Sequence, residues 1–166
     1  MGQRLLHGGG AQSAHNTPAR DLQVNYLLDT NACIAVINGW PSSVRERFQS
    51  AVASGNKVFV SSIVAFELWY GLAKSSQPET NRLNLERFFA DPVVPLPFED
   101  EDARAAGEIR AILEAVGKPI GAYDLLIAGQ ALRRNFTLVT ANVAEIKRVK
   151  GLAWQDWSKP GSAEVA

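Results

Sequence analysis

Short apolar segments of strand length alternate with amphipathic helical segments along most of this sequence. The strand-like segments span residues 24–28, 57–61, 93–98, 136–140 and 152–157. Apolar residues follow one another in these segments instead of alternating with polar ones, so both faces of each strand should be covered. Strands of this kind, separated by helices, form a parallel sheet between helical layers. The sequence therefore predicts an α/β fold.

The segments between the strands carry helix signals at their starts. A Ser43-x-x-Glu46 capping box would begin one helix, and Ser62 would cap the helix that follows the second strand. The longest helix is predicted over residues 100–116. The helix predicted over residues 122–134 is apolar on most sides, which places it in the core.

Length and local composition indicate one domain with two flanking segments. Residues 1–23 contain three consecutive glycines and few apolar side chains, so we expect a disordered N-terminal extension. Residues 24–158 should form the domain, and residues 159–166 a short C-terminal tail.

Charge and residue counts exclude several classes of function. Seventeen basic and 17 acidic residues balance, whereas a protein that coats nucleic acid non-specifically is usually basic. Both histidines lie within the first 15 residues, and Cys33 is the single cysteine. Serine–histidine and cysteine–histidine catalysis in the domain are therefore excluded, as is a cysteine-rich zinc site. The lone cysteine suits a reducing cytoplasm, and no apolar run approaches the ~20 residues that cross a membrane.

Three carboxylates stand inside apolar segments, unlike the other acids. Asp29 ends the first strand, Glu67 lies in the helix after the second, and Asp124 opens the helix before the fourth. A carboxylate leaves water at high cost unless it is paired or binds a metal, and these segments contain no Lys or Arg. Carboxylate oxygens without imidazole or thiolate neighbours suit Mg²⁺ or Mn²⁺. The sequence thus predicts a shared acidic site at one edge of the sheet.

Each of these acids also has an ordinary interpretation. Asp29 and Asp124 could cap their helices, and Glu67 could be a surface residue whose carboxylate reaches water. The remaining acids, including the run from Glu99 to Asp102, are interpreted as solvated residues at helix starts and on exposed faces.

Four motifs, taken in order, resemble the PIN domain, and most closely the VapC-type toxins of bacterial toxin–antitoxin pairs. They are Tyr-Leu-Leu-Asp-Thr-Asn at 26–31, Phe-Glu-Leu-Trp-Tyr-Gly at 66–71, Pro-Ile-Gly-Ala-Tyr-Asp at 119–124 and Leu-Val-Thr-Ala-Asn at 138–142. The resemblance covers about residues 25–157. It implies a PIN-like three-layer α/β/α sandwich with a central, mainly parallel sheet, and a Mg²⁺-dependent endoribonuclease.

The resemblance also implies roles for individual residues. Asp29, Glu67 and Asp124 match the first three acids of the family, of which the first and third hold the metal and the second positions metal or water. Asn142 stands where many relatives have a fourth acid. Its carbonyl oxygen can coordinate a cation but adds no charge. One metal ion or two remain open, as does substitution of the fourth acid by Glu145.

The expected partners follow from the same resemblance: an RNA substrate, a VapB-like antitoxin, and a second copy of the chain within the toxin–antitoxin complex. Trp69 and Tyr70 are either core aromatics or part of an antitoxin groove, and Lys147, Arg148 and Lys150 could meet RNA phosphates. An alternative is a catalytically silent PIN-like module that only binds RNA or protein. A phosphate-receiver domain is disfavoured because no second acid follows Asp29 closely.

Overall fold

The structure, a computed structural model, describes residues 23–90, 92–160 and 163–165. The strands are β1 Asn25–Leu28, β2 Lys57–Ser61, β3 Val94–Leu96, β4 Thr137–Val139, β5 Ala153–Gln155 and β6 Ala163–Val165. The helices are α1 Thr30–Asn38, α2 Ser42–Ala53, α3 Ser62–Ala73, α4 Pro78–Ala90, α5 Asp100–Ala115, α6 Ala122–Arg134 and α7 Val143–Ile146. The extension predicted for residues 1–23 lies almost entirely outside this part of the chain and stays a prediction.

The strands form one sheet in the order β3-β2-β1-β4-β5-β6. The first five strands are parallel, and β6 pairs antiparallel with β5. Strand β6 lies within residues 159–166, which were expected to be a short tail. The chain runs from β1 to β2 and β3 on one side, then returns to β4 on the other. Because parallel crossovers are right-handed, α1–α4 and α5–α6 lie on opposite faces. The predicted three-layer sandwich with a mainly parallel sheet is confirmed.

The central strands are buried on both faces, as their composition predicts. Leu27, Leu28, Val58 and Leu138 are at most 1% exposed. The helix predicted over residues 122–134 is α6, with the predicted bounds and a buried interior. Within the described residues, no helix is both long and apolar enough to span a membrane.

Two of the predicted helix starts are displaced. The capping box at Ser43 is wrong: Pro41 is the N-cap of α2, without a side-chain hydrogen bond, and the Ser43 hydroxyl instead reaches the carbonyl of Ser158. Ser61, not Ser62, caps α3 and accepts from the Ile63 N–H. The Ser62 hydroxyl accepts from the Phe98 N–H, which ties α3 to the loop after β3.

A glycine allows α5 and α6 to approach closely. A Cβ atom at Gly129 would lie 2.7 Å from the Cα, Cβ and backbone nitrogen of Ala106. Real Cβ atoms do not approach backbone atoms so closely, so this crossing requires glycine. The contact fixes the position of α6, whose first turn carries Asp124.

One acid of the run from Glu99 to Asp102 is buried, which corrects its interpretation as solvated. Asp102 is 0% exposed and accepts from the Glu99 N–H, the Gln130 amide and the Arg134 guanidinium. Burial alone would raise the pKa of Asp102. The hydrogen bonds from Arg134, Glu99 and Gln130 outweigh that effect and hold the pKa below its usual value. Arg134 is therefore part of a structural ion pair between α5 and α6.

Candidate active site

The site lies where the direction of strand order reverses, at the carboxyl ends of β1 and β4. Open parallel sheets bind ligands at this position. Asp29 directly follows β1 and Thr140 directly follows β4, and the register Leu28 with Val139 places them side by side. The Asp29 N–H donates to the Val139 carbonyl at 3.0 Å, which extends the backbone hydrogen bonding between β1 and β4 into the site.

Asp29 is the buried acid of the site, at 5% exposed. It is the N-cap of α1, and its Oδ1 accepts from the Ala32 N–H at 2.7 Å. The pKa of Asp29 is raised to about 6, mainly by burial. The negative charges of Asp124 and Glu67 contribute to the increase, while hydrogen bonds from Thr140 and Ala32 oppose it. The capping interpretation of Asp29 is thus confirmed, and the same buried carboxylate lies close enough to Asp124 and Glu67 for their charges to raise its pKa.

Glu67 faces the same site from α3 and is half-buried. The Thr30 hydroxyl donates a hydrogen bond to its Oε2. This contact joins the first turn of α1 to α3 and fixes the direction of the carboxylate. Glu67 is therefore held toward Asp29, and it does not extend freely from the surface.

Asp124 and Asn142 are in direct contact. The amide Nδ2 of Asn142 donates to Asp124 Oδ2 at 2.8 Å. The Asn142 N–H in turn donates to the hydroxyl of Thr140 at 2.9 Å, which connects this pair to the residue beside Asp29. The structure thus places all four residues predicted for the site, Asp29, Glu67, Asp124 and Asn142, around one edge of the sheet.

Glu145 lies at the outer side of this group. Its Oε2 accepts from the Gly121 N–H at 2.9 Å. A Cβ atom at Gly121 would meet Asp124 Oδ2 at 3.4 Å and Glu145 Oε2 at 3.8 Å, so both carboxylates face this glycine. The hydrogen bond to Gly121 holds Glu145 on the side of the site where Asp124 and Asn142 lie, and no side-chain hydrogen bond joins Glu145 to Asn142 among the described residues.

Thr140 and Gly121 belong to the hydrogen-bond network of the site but were not predicted from the sequence as site residues. In the sequence, Thr140 is only one of several polar residues expected at this edge of the sheet. The tertiary pairing of β1 with β4 gives it its contact with Asp29. Gly121 has no side chain that could bind or react. The only indication of its role in the sequence is its position immediately before a helix with an acid in the first turn.

The donor set fits a hard divalent cation. Within the described residues, no three carboxylate, histidine or cysteine side chains converge into a preformed metal cage. Mg²⁺ does not require one, because it is commonly held by one or two carboxylates together with water and substrate phosphates. The four predicted side chains offer only oxygen and amide groups, and burial together with the charges of Asp124 and Glu67 raises the pKa of Asp29. Asp29 and Asp124 are the residues that could hold the ion.

Basic side chains border the acidic site on one side. A cavity of about 460 Å³ is lined by Lys118, Pro119, Lys147 and Arg148, and the Arg148 guanidinium donates to the Pro119 carbonyl at 2.9 Å. Pro119 lies two residues before Gly121, so these cations stand next to the site. Arg148 is fixed in place by this hydrogen bond.

Aromatic side chains border the site on the side of α3 and α6. Phe66 packs against Tyr70, with ring centroids 6.2 Å apart, and against Tyr123 at 5.9 Å. Trp69 stacks on Phe89. Trp69 and Tyr70 are 43% and 56% exposed, so the interpretation of these two as core aromatics is wrong.

Comparisons with known proteins agree with this geometry. The family model of the PIN domain matches residues 26–152. The tRNA(fMet)-specific endonuclease VapC of Shigella flexneri is 43% identical over 138 residues, which cover 81% of this chain and 99% of the relative. Ribonuclease VapC2 of Rickettsia felis is 40% identical over 134 residues, covering 81% and 98%.

Solved structures show the same fold. VapBC2 of Rickettsia felis, bound to a DNA fragment from its promoter, gives a TM-score of 0.74 at 37% identity, covering 80% of this chain and 98% of that one. DNA-bound VapBC of Salmonella typhimurium also gives 0.74, at 38% identity, covering 81% and 99%.

Proposed function

Since the chain belongs to the PIN domain family, and within it to the VapC ribonucleases, we propose that it hydrolyses RNA with Mg²⁺ held by Asp29 and Asp124. Mn²⁺ has the same preference for oxygen and could replace Mg²⁺. The observation that carries the proposal is the convergence of three acids at one edge of the sheet: Asp29 is 5% exposed, Asp124 is linked through Asn142 to Thr140 beside Asp29, and Glu67 is held by Thr30. A cation between the two aspartates would relieve the repulsion between their charges.

Bound Mg²⁺ would supply Lewis acidity, neutralising charge on the phosphate and easing ionisation of an attacking water. The chain's own residues then have separate tasks. Thr140 and the Ala32 N–H orient Asp29, and the Asn142 amide orients Asp124. Glu67, fixed by Thr30, can accept a proton from the water that attacks the phosphorus.

The cavity of Lys118, Lys147 and Arg148 supports RNA as the substrate. Its charges can neutralise phosphates on one side of the cleaved bond, although the protein as a whole carries no net charge. The Shigella flexneri relative is named as specific for tRNA(fMet), so that tRNA is the first substrate to test.

The proposed regulation is inhibition by a VapB-like antitoxin, since the matched structures are VapBC complexes. A homodimer within that complex and a cytoplasmic location stay predictions. Sedimentation of the purified chain, alone and with the antitoxin, would test the first of these.

The test is cleavage of tRNA(fMet) and a single-stranded RNA by purified protein over a Mg²⁺ titration. Asp124→Asn should abolish cleavage, and Glu67→Gln should slow it by about 10²–10⁴-fold if Glu67 acts as the base. Glu46→Gln, an exposed acid on α2, is the control and should cleave like wild type. Circular dichroism establishes that each variant is folded.

Undiminished cleavage by Asp124→Asn would refute the proposed site. A wild-type protein that binds RNA and cleaves none with Mg²⁺ or Mn²⁺ would favour the alternative, a catalytically silent RNA-binding module.

A further inference from the structure

A second cavity lies beside the acidic site, and its lining shares no residue with the cavity of Lys118, Lys147 and Arg148. Its volume is about 210 Å³, and it lies between α1, the start of α2 and the loops after β4 and β5. Apolar walls come from Ile34, Trp40, Pro41 and Trp157. Asn31 and Thr140 form the polar edge beside the acidic site, and Asp156 and Ser158 add polar groups from the loop after β5.

The cavity is continuous with the acidic site through its polar edge. Thr140 stands beside Asp29, because Leu28 pairs with Val139 in the preceding register position, and Asn31 is two residues after Asp29 in the first turn of α1. Trp40 stands just beyond the other end of α1. This nine-residue helix is about 14 Å long at 1.5 Å per residue. The cavity thus extends from the acidic site along one helix to the indole.

Trp40 is the unusual residue of this cavity, because it is 79% exposed. The other tryptophan of the lining, Trp157, is 3% exposed and packs edge-on against Tyr26, with ring centroids 5.1 Å apart. Trp157 is therefore explained by packing of the core. Trp40 presents a flat aromatic surface to solvent next to an apolar cavity.

We propose that this cavity binds an unpaired base of the RNA substrate, with the base stacked on Trp40 and its polar edge toward Asn31. The proposal rests on the proposed ribonuclease function and adds to it a subsite for a nucleotide near the cleaved bond. Single-stranded RNA is recognised in this way, by aromatic stacking combined with hydrogen bonds to base edges.

The shape and chemistry of the cavity favour a base over a segment of protein. An amphipathic helix binds in a long groove that accepts several side chains spaced along it. This cavity is small, at about 210 Å³, and its polar edge beside the acidic site carries the Asn31 amide, which can both donate and accept as a base edge requires. It also opens onto the residues proposed to act on the phosphate.

The experiment measures RNA binding apart from cleavage. Affinity for a fluorescent single-stranded RNA is determined in EDTA at low salt for wild type, Trp40→Ala and Trp40→Phe. Trp40→Ala should weaken binding roughly 5- to 140-fold, equivalent to about 1–3 kcal/mol at 1.4 kcal/mol per factor of ten. Trp40→Phe should retain most of the affinity. Ile112→Ala, which removes an exposed apolar side chain of α5 away from the site, is the control and should bind like wild type.

A series of RNAs with one abasic position each identifies the stacked nucleotide. One abasic position should weaken binding to wild type while leaving binding to Trp40→Ala unchanged, because the two changes remove the same contact. In Mg²⁺, Trp40→Ala should raise KM for RNA and leave kcat near wild type, since stacking of a remote base contributes equally before and during reaction. Hydrolysis of bis(p-nitrophenyl) phosphate, a diester without a base, should not change.

The outcomes separate this proposal from the proposed function. Unchanged RNA affinity in Trp40→Ala would overturn the subsite even if RNA is cleaved, and selective loss of antitoxin affinity would reassign the cavity to that partner. Trp40-dependent RNA binding without any cleavage would keep the subsite and refute the nuclease activity.

Discussion

The substitution Asp29→Asn should stabilise the metal-free protein above neutral pH. Asparagine keeps the N-cap acceptor for the Ala32 N–H and removes the buried charge. The pKa of Asp29 is raised from 3.8 to about 6 in the folded protein. A raised pKa in the folded state gives stability that is complete below the unfolded pKa and is lost as pH rises through the folded pKa.

The magnitude follows from the size of this pKa change. At 1.36 kcal/mol per pKa unit, the whole pKa change is equivalent to about 3 kcal/mol. Because pH 4 already lies above the unfolded pKa, wild type should lose about 2.4 kcal/mol of unfolding free energy between pH 4 and pH 7.5 through this group. Asp29→Asn does not titrate, so its advantage over wild type should grow by about 2.4 kcal/mol over the same interval. For a domain of this size the difference amounts to about 5–10 °C in Tm.

The assay is thermal or urea unfolding at both pH values in EDTA, with Glu46→Gln as the control. Glu46 is exposed on α2, so its substitution should change stability by less than ~0.5 kcal/mol at either pH. Added Mg²⁺ should reduce the advantage of Asp29→Asn, because the ion stabilises wild type more. An advantage of equal size at pH 4 and pH 7.5 would refute the reasoning, since it would show that the ionised Asp29 carboxylate costs nothing when buried.

Two further substitutions test other parts of the structure. Asn142→Asp replaces the donor to Asp124 with a like charge, so the metal-free protein should lose about 1–3 kcal/mol while half-maximal cleavage requires less Mg²⁺. Unchanged unfolding and Mg²⁺ curves would remove Asn142 from the site. Gly129→Ala should cost about 1–3 kcal/mol in urea unfolding, because its Cβ would overlap the Ala106 backbone. Gly107→Ala, with open space around its Cβ, should instead be neutral or gain up to about 1 kcal/mol, and an equal effect of both would contradict the close approach of α5 and α6.

The fold could be predicted because its signals are local. Strand β2 and helix α6 have the predicted bounds, since apolar runs and amphipathic periodicity lie within a few residues of one another. The helix caps predicted at Ser43 and Ser62 were wrong because each hydroxyl binds a different backbone group instead. Each hydroxyl has a partner outside the capping position, at Ser158 and Phe98, which no short sequence pattern contains.

The burial of Asp102 could not be predicted from the order of charged residues along the chain. Asp102 stands in a run of four acids, and such a run ordinarily marks a solvated helix start. Its partners Gln130 and Arg134 lie 28 and 32 residues away and meet it only when α5 packs on α6. Whether the carboxylate is solvated or buried therefore depends on a contact between two elements.

Asp29, Glu67 and Asp124 could be selected as candidates from local sequence, because a carboxylate inside an apolar segment is costly unless something compensates it. How these groups act on one another depends on contacts between elements that are distant in the chain. Parallel pairing of β1 with β4 brings Thr140 to Asp29, and burial combined with the two other acids sets the pKa of Asp29. The tertiary structure also left Trp40 exposed beside its cavity while it buried Trp157, because solvent exposure depends on what packs against a side chain and not on which side chain it is.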